Sequence, residues 1–143
     1  MKYQIAICDD SDDDRSYEKD LAMRWAKERG HEIAIEIFVS AEDFLFRYDE
    51  KSDYDIILLD VEMGETDGVE MAKRVRKNDD AVQIIFITGY NDYISEGYEV
   101  AALHYLIKPV REEKLFAVLD RAAEKLYKNE KLLSFEICDE MIR

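Results

Sequence analysis

Cysteine, proline and glycine are all scarce in this chain, whose 143 residues include two Cys, one Pro and five Gly. Cys8 and Cys138 lie too far apart, and are too few, for a framework of disulfides, and no cluster of Cys and His supplies the ligands of a zinc site. Both read as buried thiols. So little Pro and Gly excludes collagen-like and low-complexity architectures. Basic residues are also in deficit, with 20 Lys plus Arg against 34 Asp plus Glu and a formal charge of −14. That balance opposes direct binding to nucleic acid or an anionic membrane and favours cations, basic surfaces or other proteins. No stretch approaches the roughly 18 apolar residues of a membrane span, and the N-terminus MKYQIAICDD reaches acids too soon for a signal peptide. The reading is a cytoplasmic protein.

What is present is the composition of one folded domain, 48% hydrophobic and 38% charged, at a length close to the roughly 150 residues typical of one. The run Tyr3 to Cys8 is short, apolar on nearly every residue and stops at Asp9-Asp10, as a strand does when both faces of a parallel sheet are covered. Ile33 to Val39, interrupted by Glu36, Tyr54 to Leu59, Val82 to Thr88 and Ala102 to Ile107 repeat the pattern. Helical periodicity separates them. Tyr17, Leu21 and Trp25 mark a first helix behind an Asp-rich start, with Ser11 or Asp12 as its cap. Ala41 to Tyr48 gives a second helix. Val69, Ala72 and Val75 give a third, whose Lys73, Arg74, Arg76 and Lys77 form a solvated face. Asn91 to Val100 gives a fourth, weakened by Gly97, and Leu115, Val118, Leu119, Ala122 and Leu126 mark a fifth beginning a few residues after Pro109. A βα unit repeated five times predicts an α/β, doubly wound parallel sheet with helices on both faces. Beyond Lys131, the alternation of Leu133, Phe135 and Ile137 with Ser134, Glu136 and Cys138 has the pattern of a half-buried strand. It either opens a further domain or lies on this one as a tail.

Ligands of doubly wound sheets sit beyond the carboxyl ends of the strands. There the sequence places Asp9 and Asp10 after the first run, Asp60 after the third, Thr88 at the end of the fourth and Lys108-Pro109 after the fifth. Two carboxylates 4 Å apart repel by on the order of 4 kcal/mol at an effective dielectric near 20, a conflict that a divalent cation removes. Oxygen ligands without Cys or His favour Mg²⁺, which keeps water and phosphate oxygens in its shell. Asp60, followed by VEMGETDG, whose Gly64 and Gly68 allow a tight turn, is the candidate nucleophile for an aspartyl-phosphate. Asp9 and Asp10 would hold Mg²⁺, Thr88 would donate its hydroxyl to a phosphoryl oxygen and Lys108 would pair with another as a point charge. Any one of these residues alone is an ordinary turn former or cap; the ordered set carries the inference.

IAICDD, IILLDVEMGETDG, IIFITG and ALHYLIKP, in that order, resemble the motifs of the receiver domain of two-component response regulators, over residues 2 to about 128. The resemblance implies the flavodoxin-like (βα)5 sandwich with strand order 2-1-3-4-5, a receiver over residues 1–129, and 130–143 as a linker and first strand of an absent C-terminal domain. It implies Asp60 as phosphoacceptor, Asp9, Asp10 and Asp60 as Mg²⁺ ligands with the backbone carbonyl of Glu62, and Thr88 and Lys108 as phosphoryl contacts. Tyr105 matches the switch aromatic, and Lys108-Pro109 a cis peptide bond. YISEGYEVAALHYLIKPV is most similar to receivers of the LytTR class, whose output domain is a β-rich DNA-binding module. Gly64 departs from a Pro common in receivers, and His104 from an Asp common in this subgroup; His104 would place a group titrating near pH 6.5 on the output surface. The implied partners are a sensor histidine kinase and, after phosphorylation, a second copy meeting through the fourth helix, fifth strand and fifth helix, with Tyr90 to Val100 and Tyr105 as the moving element. Two alternatives stay open at this point. A Mg²⁺-dependent phosphatase would share the aspartyl intermediate, although Glu62 stands where such enzymes usually carry an Asp; a binding module that is never phosphorylated would share the fold alone.

Overall fold

The computed structural model describes residues 2–50, 53–63, 67–89 and 100–142, with side chains described as far as Lys131. Its elements run β1 (Lys2–Cys8), α1 (Asp12–Arg29), β2 (Glu32–Phe38), α2 (Ala41–Glu50), β3 (Ile56–Leu59), α3 (Gly68–Arg76), β4 (Gln83–Thr88), β5 (His104–Ile107) and α4 (Glu112–Ile142). The strands are parallel in the order β2-β1-β3-β4-β5. The expected sheet is therefore present. The helix expected over 91–100 falls, up to residue 99, outside the described residues, as do Gly64, Gly97 and Tyr90.

Both faces of the sheet are buried, which is why its strands read as continuous apolar runs. Ala6, Cys8, Ile57, Leu59, Ile84 and Phe86 point to one side, into a core with Phe44, Met71, Ala72 and Val75 of α2 and α3. Ile5, Ile7, Ile56, Leu58, Ile85 and Ile87 point to the other, against Leu21 and Trp25 of α1 and Leu115, Val118, Leu119 and Ala122 of α4. The edge strands β2 and β5 are less buried, and Glu36 of β2 meets Arg47 of α2 at 3.4 Å.

Ser11 caps α1 by accepting from the Asp14 N–H at 3.3 Å, and Asp12, Asp13 and Asp14 occupy the positive end of the helix dipole. Gly30, at φ 71°, closes the helix in the left-handed conformation and donates to the Ala26 and Lys27 carbonyls. The buried face of α1 differs from the expected one. Leu21 and Trp25 are inside, but Tyr17 is 46% exposed, with its hydroxyl donating to the Val110 carbonyl at 2.8 Å. The stripe instead runs Arg15, Glu18, Leu21, Ala22, Trp25, Ala26, spaced at three and four residues as helix geometry requires. Two charged side chains therefore enter it near the strand ends.

Arg76 also departs from the solvated face expected of the third helix. Its guanidinium is half-buried and donates to the carbonyls of Val100 at 2.6 Å, Ala101 at 3.2 Å and Asp79 at 3.1 Å. Lys73, Arg74 and Lys77 are exposed as expected.

A second correction concerns the tail. The backbone over Leu133 to Cys138 is helical and continues α4 to Ile142. No Gly or Pro interrupts the sequence between Pro109 and that end. A helix pairs each backbone N–H within its own segment, whereas a lone strand leaves them without partners. Among the described residues no helix is long and apolar enough to cross a membrane.

Polar contacts join α1 to α4, among them the 3.0 Å ion pair of Arg24 with Glu112 and a cluster on Asp120. The fully buried Trp25 donates its indole N–H to Asp120 at 2.8 Å, and Arg29 donates to the same carboxylate at 3.0 Å. Asp120→Ala leaves the indole N–H buried without an acceptor and should lower unfolding free energy by about 1–3 kcal/mol, read from urea denaturation followed by Trp25 fluorescence.

Candidate functional site

Parallel pairing of β1 with β3 sets Cys8 opposite Leu59, so the residues that follow, Asp9 and Asp60, emerge side by side on one rim. The Asp60 N–H donates to the Cys8 carbonyl at 3.0 Å and the Asp9 N–H to the Phe38 carbonyl at 3.2 Å. Asp9 is 1% exposed and Asp60 7%, while Asp10 is open to solvent. Carboxylate oxygens of these three residues lie within 4.8 Å of one another. Ser11 N–H donates to Asp9 Oδ1 at 2.9 Å, Arg15 Nη1 to the Asp9 carbonyl at 2.7 Å, and Glu62 N–H to Asp60 Oδ1 at 3.3 Å. Each acid is thus oriented by the turn that follows its strand.

Lys108 approaches from the opposite side. Its N–H donates to the carbonyl of the fully buried Thr88 at 2.8 Å, and the Lys108–Pro109 bond is cis. Its Nζ meets Asp9 Oδ2 at 2.7 Å, Asp14 Oδ2 at 2.6 Å and Asp60 Oδ2 at 2.9 Å. Burial alone would lower the ammonium's pKa; the hydrogen bonds to Asp14, Asp9 and Asp60 outweigh it and hold the group above its ordinary value. Asp9 moves upward, because burial outweighs the bonds from Lys108 and Ser11. Tyr105 lies half-buried beside the rim, its ring 5.7 Å from Phe86. His104 is exposed, and its Nδ1 accepts from the Tyr105 N–H at 3.0 Å.

The family model of the response regulator receiver domain matches residues 5–120 of this chain. The chain belongs to the response regulator receiver family. It is 31% identical over 98 residues to an uncharacterized response regulatory protein of Vibrio cholerae, covering 67% of this chain and 38% of that protein. It is 32% identical over 111 residues to sensory transduction protein LytT of Bacillus subtilis, covering 76% and 45%. The chain thus spans less than half the length of either relative. Among solved structures, response regulator TrrA of Thermotoga maritima, in complex with Mg(2+)-BeF, is 28% identical with a TM-score of 0.69, covering 85% of this chain and 99% of that one.

Within this receiver domain the acidic trio passes the chemical test for a hard divalent cation, since its donors are all carboxylate oxygens, closely grouped and partly open to water. Sequence reasoning missed three contributors. Asp14 and Arg15 reach the rim from the first turn of α1. Glu18 is buried one turn further along, and burial, then the charge of Asp9, push its carboxyl up to about 9 against the pull of Lys108. Helical spacing from Leu21 and Trp25 was the available signal for Asp14 and Glu18. Gly68, expected to allow a tight turn after Asp60, closes that turn against the Asp60 backbone. Its N–H donates to the Val61 carbonyl at 2.7 Å, and a side-chain carbon there would overlap the Asp60 carbonyl. Burial, reinforced by the charges of Glu18 and Asp9, raises the Cys8 thiol, which is inert beneath the site.

Two outcomes follow from this geometry. Gly68→Ala must displace the backbone of Asp60 and should destabilise the domain by about 1–3 kcal/mol, seen as a lower urea midpoint. Glu18 in the folded state keeps its proton from its unfolded pKa up to about 9, so stability falls as pH rises through that window, by up to about 1.4 kcal/mol per unit. Glu18→Gln should remove this slope, as measured by urea unfolding at pH 5, 7 and 9 without divalent ions.

Proposed function

We propose that this receiver domain is a phosphorylation switch that takes a phosphoryl group onto Asp60 from the phosphohistidine of a sensor histidine kinase. A single observation carries the reading: Lys108 Nζ lies 2.9 Å from Asp60 Oδ2, at the centre of carboxylates that have no partner cation of comparable reach among the described residues. An Asp60 oxygen attacks phosphorus, the P–N bond breaks and the imidazole leaves with the electron pair. Asp9, Asp10, Asp60 and the backbone carbonyl of Glu62 would hold Mg²⁺, which supplies positive charge against the phosphoryl oxygens. Lys108 exchanges its bond to Asp60 for one to a phosphoryl oxygen, and the Thr88 hydroxyl donates to another. The same chain returns to its resting state when water hydrolyses the acyl phosphate. TrrA, with a bound Mg(2+)-BeF group, supports the assignment of ligand chemistry.

Phosphorylation turns one negative charge into roughly two and adds acceptor oxygens. Carrying a two-state domain from 1:99 to 99:1 takes about 5.5 kcal/mol of differential interaction, a scale within reach of several charge-assisted hydrogen bonds. Tyr105, packed on Phe86 one strand from Thr88, is the side chain whose packing would change. The surface of β5 and the start of α4, with Ile107 45% exposed, would then pair two copies. Residues 1–129 form the receiver and 130–143 lead toward an output domain of the transcriptional kind, in the cytoplasm; the greater length of the LytT relative supports that organisation.

Incubation with acetyl phosphate and Mg²⁺ should add one phosphoryl group per chain by intact mass, labile to hydroxylamine and absent in Asp60→Asn. Wild-type labelling of Asp60→Asn, or sustained turnover of a generic phosphoester, would overturn the assignment.

A further inference from the structure

The Lys108 ammonium has three N–H donors, and all three are committed to carboxylates, two of them on residues 9 and 60. The third goes to Asp14 at 2.6 Å, the shortest of the set. Asp14 stands in the first turn of α1, whose start is fixed by the Ser11 cap and by Arg15, which donates to the Asp9 carbonyl and pairs with Asp12. The helix therefore presents the Asp14 carboxylate to Lys108 from a rigid element rather than from a loop. Three acceptors on three different segments define the position of Nζ as the legs of a tripod do. With Asp9 and Asp60 alone, the four-carbon stem would remain free to turn about the line joining them.

We propose that Asp14 is a positioning residue for phosphotransfer: by taking the third donor of Lys108, it aims one of the remaining N–H bonds at Asp60. The inference rests on the proposed phosphorylation of Asp60. When that oxygen acquires phosphorus, the donor facing Asp60 passes to a phosphoryl oxygen while Asp9 and Asp14 keep the other two, so the ammonium moves little. A preset donor of this kind acts through geometry, because its orientation is established before the phosphoryl group arrives. Asp14 touches neither the phosphoryl group nor the acidic trio's cation in this scheme. Its neighbour Asp13 supplies the control. Asp13 lies in the same helical turn and carries the same charge, but it is exposed, and it is not one of the carboxylates on Lys108.

The test compares Asp14→Asn, Asp14→Ala and Asp13→Asn in the full 143-residue chain, with far-ultraviolet circular dichroism confirming that each folds. In magnesium-free protein labelled with ¹⁵N-lysine, the Lys108 ammonium protons should exchange with water several-fold faster in both Asp14 variants and at the wild-type rate in Asp13→Asn. Labelling by acetyl phosphate with Mg²⁺ should slow about three- to tenfold in the Asp14 variants relative to Asp13→Asn, the range expected where the net worth of one hydrogen bond is lost. Equal exchange and equal labelling rates in the Asp13 and Asp14 variants, with wild type labelled normally, would overturn the positioning role alone. Failure of wild type to label at Asp60 would overturn the phosphorylation reading, and the kinetic role of Asp14 with it.

Discussion

One ammonium surrounded by carboxylates governs the architecture of the rim. Asp9 and Asp60 are both nearly excluded from water, and like charges about 4 Å apart cost on the order of 4 kcal/mol even at an effective dielectric of 20. Lys108 offsets that repulsion by bonding to both, and to Asp14 as well. Its reach depends on the end of β5, where the Lys108 N–H is tied to the Thr88 carbonyl. It depends equally on α1, whose cap orients Asp14 and whose Arg15 secures the backbone of Asp9. The site is therefore assembled by electrostatics, one ammonium balancing carboxylates brought from β1, α1 and the end of β3.

The parallel sheet converts separations along the chain into contacts. Asp9 and Asp60 are 51 residues apart, yet the one-to-one register of β1 and β3 makes them neighbours. Parallel strands all end at the same edge, so every residue that terminates a strand joins a single rim. Gly68 shows how closely that rim is packed from behind, since the start of α3 rests on the backbone of Asp60 with no room for a side-chain carbon. Function and packing meet at that residue. Its lack of a side chain lets α3 approach, and the approach fixes where the Asp60 carboxylate emerges.

Burial on both faces made the strands legible from sequence. It produces apolar runs such as IILL and QIIFIT whose ends are marked by the first charged or hydroxylated residue. Those ends proved to be the rim, so Asp9, Asp10, Asp60 and Lys108 could be read directly and are brought together in the structure. Helix faces were harder. Taking Tyr17 as apolar assigned it to the core, whereas its ring is half-exposed and its hydroxyl reaches Val110. Treating charge as a sign of solvent kept Glu18 out of the core, and made Arg76 part of a solvated face when it staples the turn at Val100. The alternation beyond Lys131 misled for a different reason: period-two patterning indicates a strand only where another strand is available to pair, and the continuing helix needs none.

Glu18 and Asp9 together show how position relative to Lys108 decides the state of a buried acid. Burial drives both upward. Asp9 is held by a direct hydrogen bond from the ammonium and another from the Ser11 N–H, which favour its charged form. Glu18 feels Lys108 only through space and faces the charges of Asp9, Asp14 and Asp60 as well, and it is the one pushed to about 9. Burial first, and the charge of Asp9 next, thus keep the Glu18 carboxyl protonated at neutral pH. The α1 face can therefore pass beneath a strongly acidic rim without adding the charge of Glu18 to it.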